Sequence, residues 1–82
     1  AVARLENEEE CYRFFEDLCT INELQAMAQR YEVARMLKKG DTYIAVAEKT
    51  GASSATISRV NRCLLYGANG YNIAIERENA EK

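Results

Sequence analysis

Arg59 and Arg62 stand three residues apart in a stretch, residues 53 to 66, where Ile57, Val60 and Leu64 recur at three- and four-residue steps. That spacing predicts a helix with one apolar side, and on its projection Ala55, Ser58, Arg59 and Arg62 fall opposite the apolar stripe. Two guanidiniums and a set of short side chains are therefore offered outward together. A guanidinium grips a phosphate or the edge of guanine with two hydrogen bonds, and hydroxyls donate singly to phosphates or bases. Short residues at the start of such a helix let its backbone approach a groove, and the free amides there suit a phosphate. The chemistry on offer is recognition of phosphates and base edges. Its candidate contacts are Thr42, Tyr43, Ser53, Ser54, Ala55, Thr56, Ser58, Arg59 and Arg62.

Catalysis has little to work with. The sequence contains no His, no Gly-rich phosphate loop follows a strand, and no Ser or Cys has an evident base beside it. Glu16 and Asp17 are adjacent, so on a helix they diverge by about 100° and read as surface charge. Cys11, Cys19 and Cys63 form no CxxC pair and cannot supply four ligands, which fits reduced core thiols of a cytosolic protein. Neither an enzyme nor a metal site is expected.

The net charge of −2 would argue against a nucleic-acid partner if it were spread evenly. It is not. Residues 1 to 28 hold two basic and seven acidic residues, whereas residues 29 to 66 hold seven basic and three acidic ones. The positive excess coincides with the segment that carries the two arginines, while Glu8, Glu9 and Glu10 read as a solvated helix face. No apolar run approaches the roughly 18 residues that span a bilayer, and residues 1 to 10 are acidic where a signal peptide is basic and then apolar. A cytoplasmic chain with no membrane partner is expected.

Such a surface has to be positioned by a scaffold, and 82 residues with 48% hydrophobic content suffice for one domain, residues 1–82. There is no Pro, and the four glycines at 40, 51, 67 and 70 punctuate segments of helical periodicity. The first segment, about Leu5 to Cys19, carries Cys11, Tyr12, Phe14, Phe15, Leu18 and Cys19 on a broad stripe. Thr20 or Asn22 then caps a second helix that runs to Lys39 and stops at Gly40. Val33 and Met36 widen its apolar surface beyond one stripe, for which burial between two subunits is the expected explanation.

Two shorter helices follow, about Thr42 to Thr50 and Ser53 to Tyr66, forming a helix-turn-helix over about residues 42–66. Tyr43, Val46, Ala47 and Thr50 give the first an inner face. Gly51 supplies the positive φ of a tight turn, and Ser53 restarts the chain as an N-cap. In the tail, residues 67–82, Tyr71, Ile73 and Ile75 alternate with Asn72, Ala74 and Glu76. That period fits either a short strand or packing on the core, and from Arg77 onward the chain reads as frayed or solvated.

The run Thr50-Gly-Ala-Ser-Ser-Ala-Thr-Ile-Ser-Arg-Val-Asn-Arg-Cys-Leu, with Arg30-Tyr-Glu-Val-Ala-Arg-Met-Leu before it and Tyr66-Gly-Ala-Asn-Gly-Tyr after it, resembles the Trp repressor-like YerC/YecD family. The resemblance covers about residues 10 to 75. It implies an all-α Trp repressor-like fold, a homodimer with intertwined helices, and sequence-specific binding of double-stranded DNA by a bacterial repressor. In the tryptophan-binding relatives two arginines sandwich the indole, and Arg30 and Arg59 match them as possible effector-binding residues. Those relatives have glycine after the second arginine, where this chain has Val60, whose branched side chain is expected to fill the pocket. A serine at the amino-group site is matched by Cys63. Tryptophan is therefore not expected as corepressor, and no other cofactor is indicated.

Two functions follow. The first is a DNA-binding transcriptional regulator; the alternative is a helical protein-interaction module using the same fold without DNA binding. Salt discriminates them, because phosphate contacts weaken steeply as it rises and apolar contacts barely respond.

Overall fold

Thr20 and Gly40 bracket the helix around which the rest of the chain is arranged. Thr20 Oγ1 accepts from the Glu23 amide at 3.1 Å while Glu23 Oε1 accepts from the Thr20 amide at 2.8 Å, so the two satisfy each other's orphan donors. The helix they start, Ile21–Lys39, ends at Gly40 with φ of 103°. There the Gly40 and Asp41 amides return to the carbonyls of Leu37 and Met36, both at 3.0 Å. The computed structural model describes residues 1–81, and after a 3-10 turn at Val2–Arg4 it contains five helices. They are α1 (Glu8–Leu18), α2 (Ile21–Lys39), α3 (Tyr43–Thr50), α4 (Ser54–Tyr66) and α5 (Gly70–Ala80).

The helix starts follow the polar residues available to cap them. Asn7 accepts from the Glu10 amide at 2.9 Å, so α1 begins at Glu8 and not at Leu5, and its three leading glutamates face the positive end of the dipole. Thr42 and Ser53 lie just outside α3 and α4 as their N-caps, one residue earlier than the first helical residue. Cys11, Phe14, Phe15 and Cys19 are half-buried, with the two phenylalanine rings edge-to-face at 5.3 Å, but Tyr12 and Leu18 of the same stripe remain exposed.

The core consists of Val33, Ala34 and Met36 from α2, Val46 from α3, Ala52 from the turn, Ile57 and Val60 from α4, and Ile75 from α5. Complete burial of Val33, Val46, Ile57 and Val60 stabilises the fold by roughly 1.5–3 kcal/mol each. Helix α2 packs against all four other helices, which corrects the reading of its wide apolar surface. Val33 and Met36 are covered by α3, α4 and α5 of their own chain and need no second subunit for it.

The tail also departs from its apparent period of two. Residues 70 to 80 are helical, and no strand occurs among the described residues. In a helix Tyr71, Ile75 and Glu78 share a face, and that face meets α2: Ile75 is buried, Tyr71 stacks on Tyr31 with ring centroids 6.5 Å apart, and Ile73 points away. Among the described residues after Arg77, Glu78 is held and Asn79 to Glu81 are exposed, as the solvated reading has it. Glu78 accepts a hydrogen bond from the Tyr31 hydroxyl at 3.3 Å and an ion pair from Arg35 Nε at 3.0 Å. Lys38 Nζ reaches Asn72 Oδ1 at 2.6 Å and Glu76 at 3.5 Å. Lys82 lies outside the described residues.

Candidate nucleic-acid interface

Three residues, Gly51 to Ser53, connect α3 to α4, and the backbone there is tied on every side. Gly51 has φ of 73°, and its amide closes onto the Ala47 carbonyl at 2.9 Å. Thr50 Oγ1 donates to the Val46 carbonyl at 2.7 Å and accepts from the Ala52 amide at 3.2 Å. Ser53 Oγ accepts from the Thr56 amide at 3.2 Å and donates to Thr56 Oγ1 at 3.1 Å. Ala52 is buried beneath the turn, while Ile57 and Val60, each 1% exposed, fix which side of α4 faces inward.

The opposite side of α4 is open. Ser54, Ala55, Ser58, Arg59 and Arg62 are exposed, as are the caps Thr42 and Ser53 and half of Tyr43. Thr56 is half-buried, with its hydroxyl engaged by Ser53, so of the nine candidate contacts it is the least available to a partner. Tyr43 was expected on the inner face of α3; Val46 is the residue of that face that is fully buried.

The charge on this surface is unspent. Arg13, Arg35, Lys38 and Lys39 each pair with a carboxylate at 3.0–3.5 Å. Lys49, Arg59 and Arg62, the cations of α3 and α4, form no ion pair with a described residue. An unpaired guanidinium on an exposed helix face keeps all its donors for an incoming anion. Together with the small residues of the first turn, this geometry suits a helix laid in the major groove.

Between α2, α4 and α5 lies a cavity of about 400 Å³ lined by Arg30 of α2, by Thr56, Arg59, Val60 and Cys63 of α4, and by Tyr71 of α5, so that Arg59 borders both this space and the exposed face. The two arginines read from the sequence as possible effector contacts thus share one space. Val60 forms a wall of that space and does not close it, contrary to the expectation that its side chain fills the pocket. Tyr71 is a wall residue that sequence spacing did not identify, because α5 reaches the cavity through its docking on α2 and α4, where Asn72 Nδ2 donates to the Leu64 carbonyl at 3.0 Å. Burial raises the Tyr31 pKa above its usual 10.0, and the Glu78 carboxylate that accepts its proton adds to the effect.

A second, apolar groove of about 390 Å³ lies between α1 and α2, lined by Glu8, Cys11, Tyr12, Phe15, Leu24 and Met27. Beside it Leu18 and Ile21 are exposed at 64% and 73%. Among the described residues no group of three His, Cys, Asp or Glu side chains is placed to hold a metal, and no helix is long and apolar enough to cross a membrane. The three cysteines are half-buried and unbridged.

Comparison with known proteins gives one consistent answer. Residues 1–79 match the family described as Trp repressor protein. The chain is 60% identical over 77 residues to the uncharacterized protein YerC of Bacillus subtilis (strain 168), covering 94% of this chain and 74% of that one. It superposes on a TrpR-like protein from Eubacterium eligens with a TM-score of 0.89 at 56% identity, covering 96% of this chain and 81% of the other. A crystal structure of a candidate Trp repressor from Staphylococcus aureus gives a TM-score of 0.88 at 51% identity, covering 95% and 78%.

Proposed function

Given that the chain belongs to the Trp repressor family, we propose that it is a cytoplasmic, sequence-specific DNA-binding transcriptional regulator that acts as a homodimer. The observation that carries the reading is the two-sidedness of α4. Ile57 and Val60 are buried in the core, and the unpaired Arg59 and Arg62 stand with Ala55 and Ser58 on the exposed side. Thr42 and Tyr43 at the start of α3, and Ser53 and Ser54 at the start of α4, supply donors to the flanking phosphates.

The homodimer is supported by what a single chain leaves uncovered. Tyr12, Leu18 and Ile21 are exposed around the groove between α1 and α2, on helices that the DNA reading does not use. Two copies paired there would present two α4 helices to successive major grooves, about 34 Å apart, so the site should be a palindrome.

Tryptophan is not its corepressor on this reading: although Val60 leaves the cavity open, Cys63 stands in its wall where the tryptophan-binding relatives have a serine for the amino group. Titration calorimetry with L-tryptophan should show no binding, and saturable heat would overturn this clause alone. Selection of DNA sites from a random library by the purified protein tests the main claim. A palindromic site, bound with an affinity that falls linearly on a log–log salt plot, is expected. Recovery of no enriched sequence, or binding indifferent to salt, would leave the apolar groove as the working surface and favour a protein-interaction module.

A further inference from the structure

The outward face of the helix-turn-helix has an unusual inventory of base-reading groups. Arg59 and Arg62 are suited to guanine, which presents two acceptors in the major groove. Adenine is read there by the paired donor and acceptor of an Asn or Gln amide. No exposed Asn or Gln occurs on α3 or α4 among the described residues, Asn61 being half-buried. What the surface does carry is an aliphatic side chain in the first turn of α3: Ile44 is 74% exposed, beside Thr42 and Tyr43.

A lone exposed aliphatic residue is ordinary on a protein surface. The position of this one is what gives it meaning. The first helix of a helix-turn-helix crosses the DNA backbone beside the groove that the second helix enters. Ile44 also stands apart from the apolar groove, which is carried by α1 and α2, so the surface left for a second copy does not account for it. In the major groove the one apolar feature of a base pair is the 5-methyl group of thymine.

Resting on the DNA-binding reading above, we propose that Ile44 is a specificity residue that packs against a thymine methyl group in each half-site. With it, an A·T pair is recognised from its thymine side, where the surface has an apolar contact, and not from its adenine side, where it has no amide.

The test uses the full chain and a synthetic duplex carrying the selected site, compared with duplexes in which one thymidine at a time is replaced by deoxyuridine. This exchange removes a methyl group and leaves base pairing intact. For the unaltered protein one symmetry-related thymine should be sensitive, with binding weakened about fourfold, the factor that corresponds to burial of one methyl. Ile44→Ala should bind the parent duplex more weakly and lose that sensitivity, and Ile44→Val should retain it.

If Ile44→Ala keeps the full deoxyuridine penalty at every thymine, or the unaltered protein shows none, Ile44 does not read a methyl group although the protein binds DNA. A change in dimerisation on Ile44→Ala, with an unchanged thymine profile, would assign the residue to a subunit interface instead. Failure to select any site brings down the DNA reading itself and this proposal with it.

Discussion

Gln29, on α2, donates from Nε2 to the carbonyl oxygen of Thr50, 21 residues later, at 3.1 Å. Thr50 is the last residue of α3, so this bond anchors the end of α3 to the scaffold at the point where the chain turns into α4. Gln29→Ala leaves that carbonyl without its partner. The expected cost is about 1 kcal/mol, read as a Tm lower by about 4–8 °C for a domain of this size. DNA affinity should fall as well, because α3 and α4 lose a fixed orientation. An unchanged melting curve would show that the bond carries no load.

Arg62 is exposed, unpaired and opposite the buried stripe of α4. Arg62→Ala should weaken DNA binding at low salt. If the contact is to a phosphate, the log–log salt slope becomes shallower by about 1; if it is to guanine, discrimination at one base pair falls by about 1–3 kcal/mol. Fluorescence anisotropy on matched and mismatched duplexes separates the two. Unaltered binding by both Arg62→Ala and Ser58→Ala would mean that another face meets the DNA.

Gly51 adopts φ of 73° with nothing within 4 Å of where a Cβ would sit. The cost of Gly51→Ala is therefore backbone strain alone, about 1–2 kcal/mol. Gly51→Asn should cost less, because Asn tolerates the left-handed region. Equilibrium urea unfolding of the two variants gives the comparison, and equal loss in both would point to a steric cause.

The Glu23 carboxyl is held below its ordinary pKa of 4.5, first by the Thr20 amide and then by the Thr20 hydroxyl. A lowered folded-state value means that the stabilisation is present above the ordinary value and is lost as pH falls through the folded one. Thermal stability should therefore decline on the acid side of pH 4.5. Thr20→Ala or Glu23→Gln should lower the stability near neutrality, where the contribution is present, and so flatten the acid limb of the profile. An acid limb unchanged in both variants would assign the decline to other carboxylates.

Much of the helix-turn-helix was legible because its determinants are local. Ser53, Gly51 and the Ile57–Val60 spacing each act within a turn or two, and the structure places the cap, the left-handed residue and the buried side where those residue types require them. Helix α5 was not legible for the same reason reversed. Tyr71, Ile73 and Ile75 alternate over a short run, and only the long-range contacts of Tyr71 and Ile75 with α2 select the helix over a strand. Val33 and Met36 showed as excess hydrophobicity, yet the sequence does not say whether the covering surface belongs to the same chain or another. The Gln29 bond and the Tyr71 wall join residues distant in sequence, so neither leaves a local pattern.

Thr50 holds the turn through its hydroxyl, and Gln29 holds Thr50 through its carbonyl. On the DNA-binding reading, the turn between α3 and α4 is therefore already tied before it meets a duplex. Complex formation should then carry the heat-capacity change of interface burial alone, without the additional negative increment that coupled folding brings.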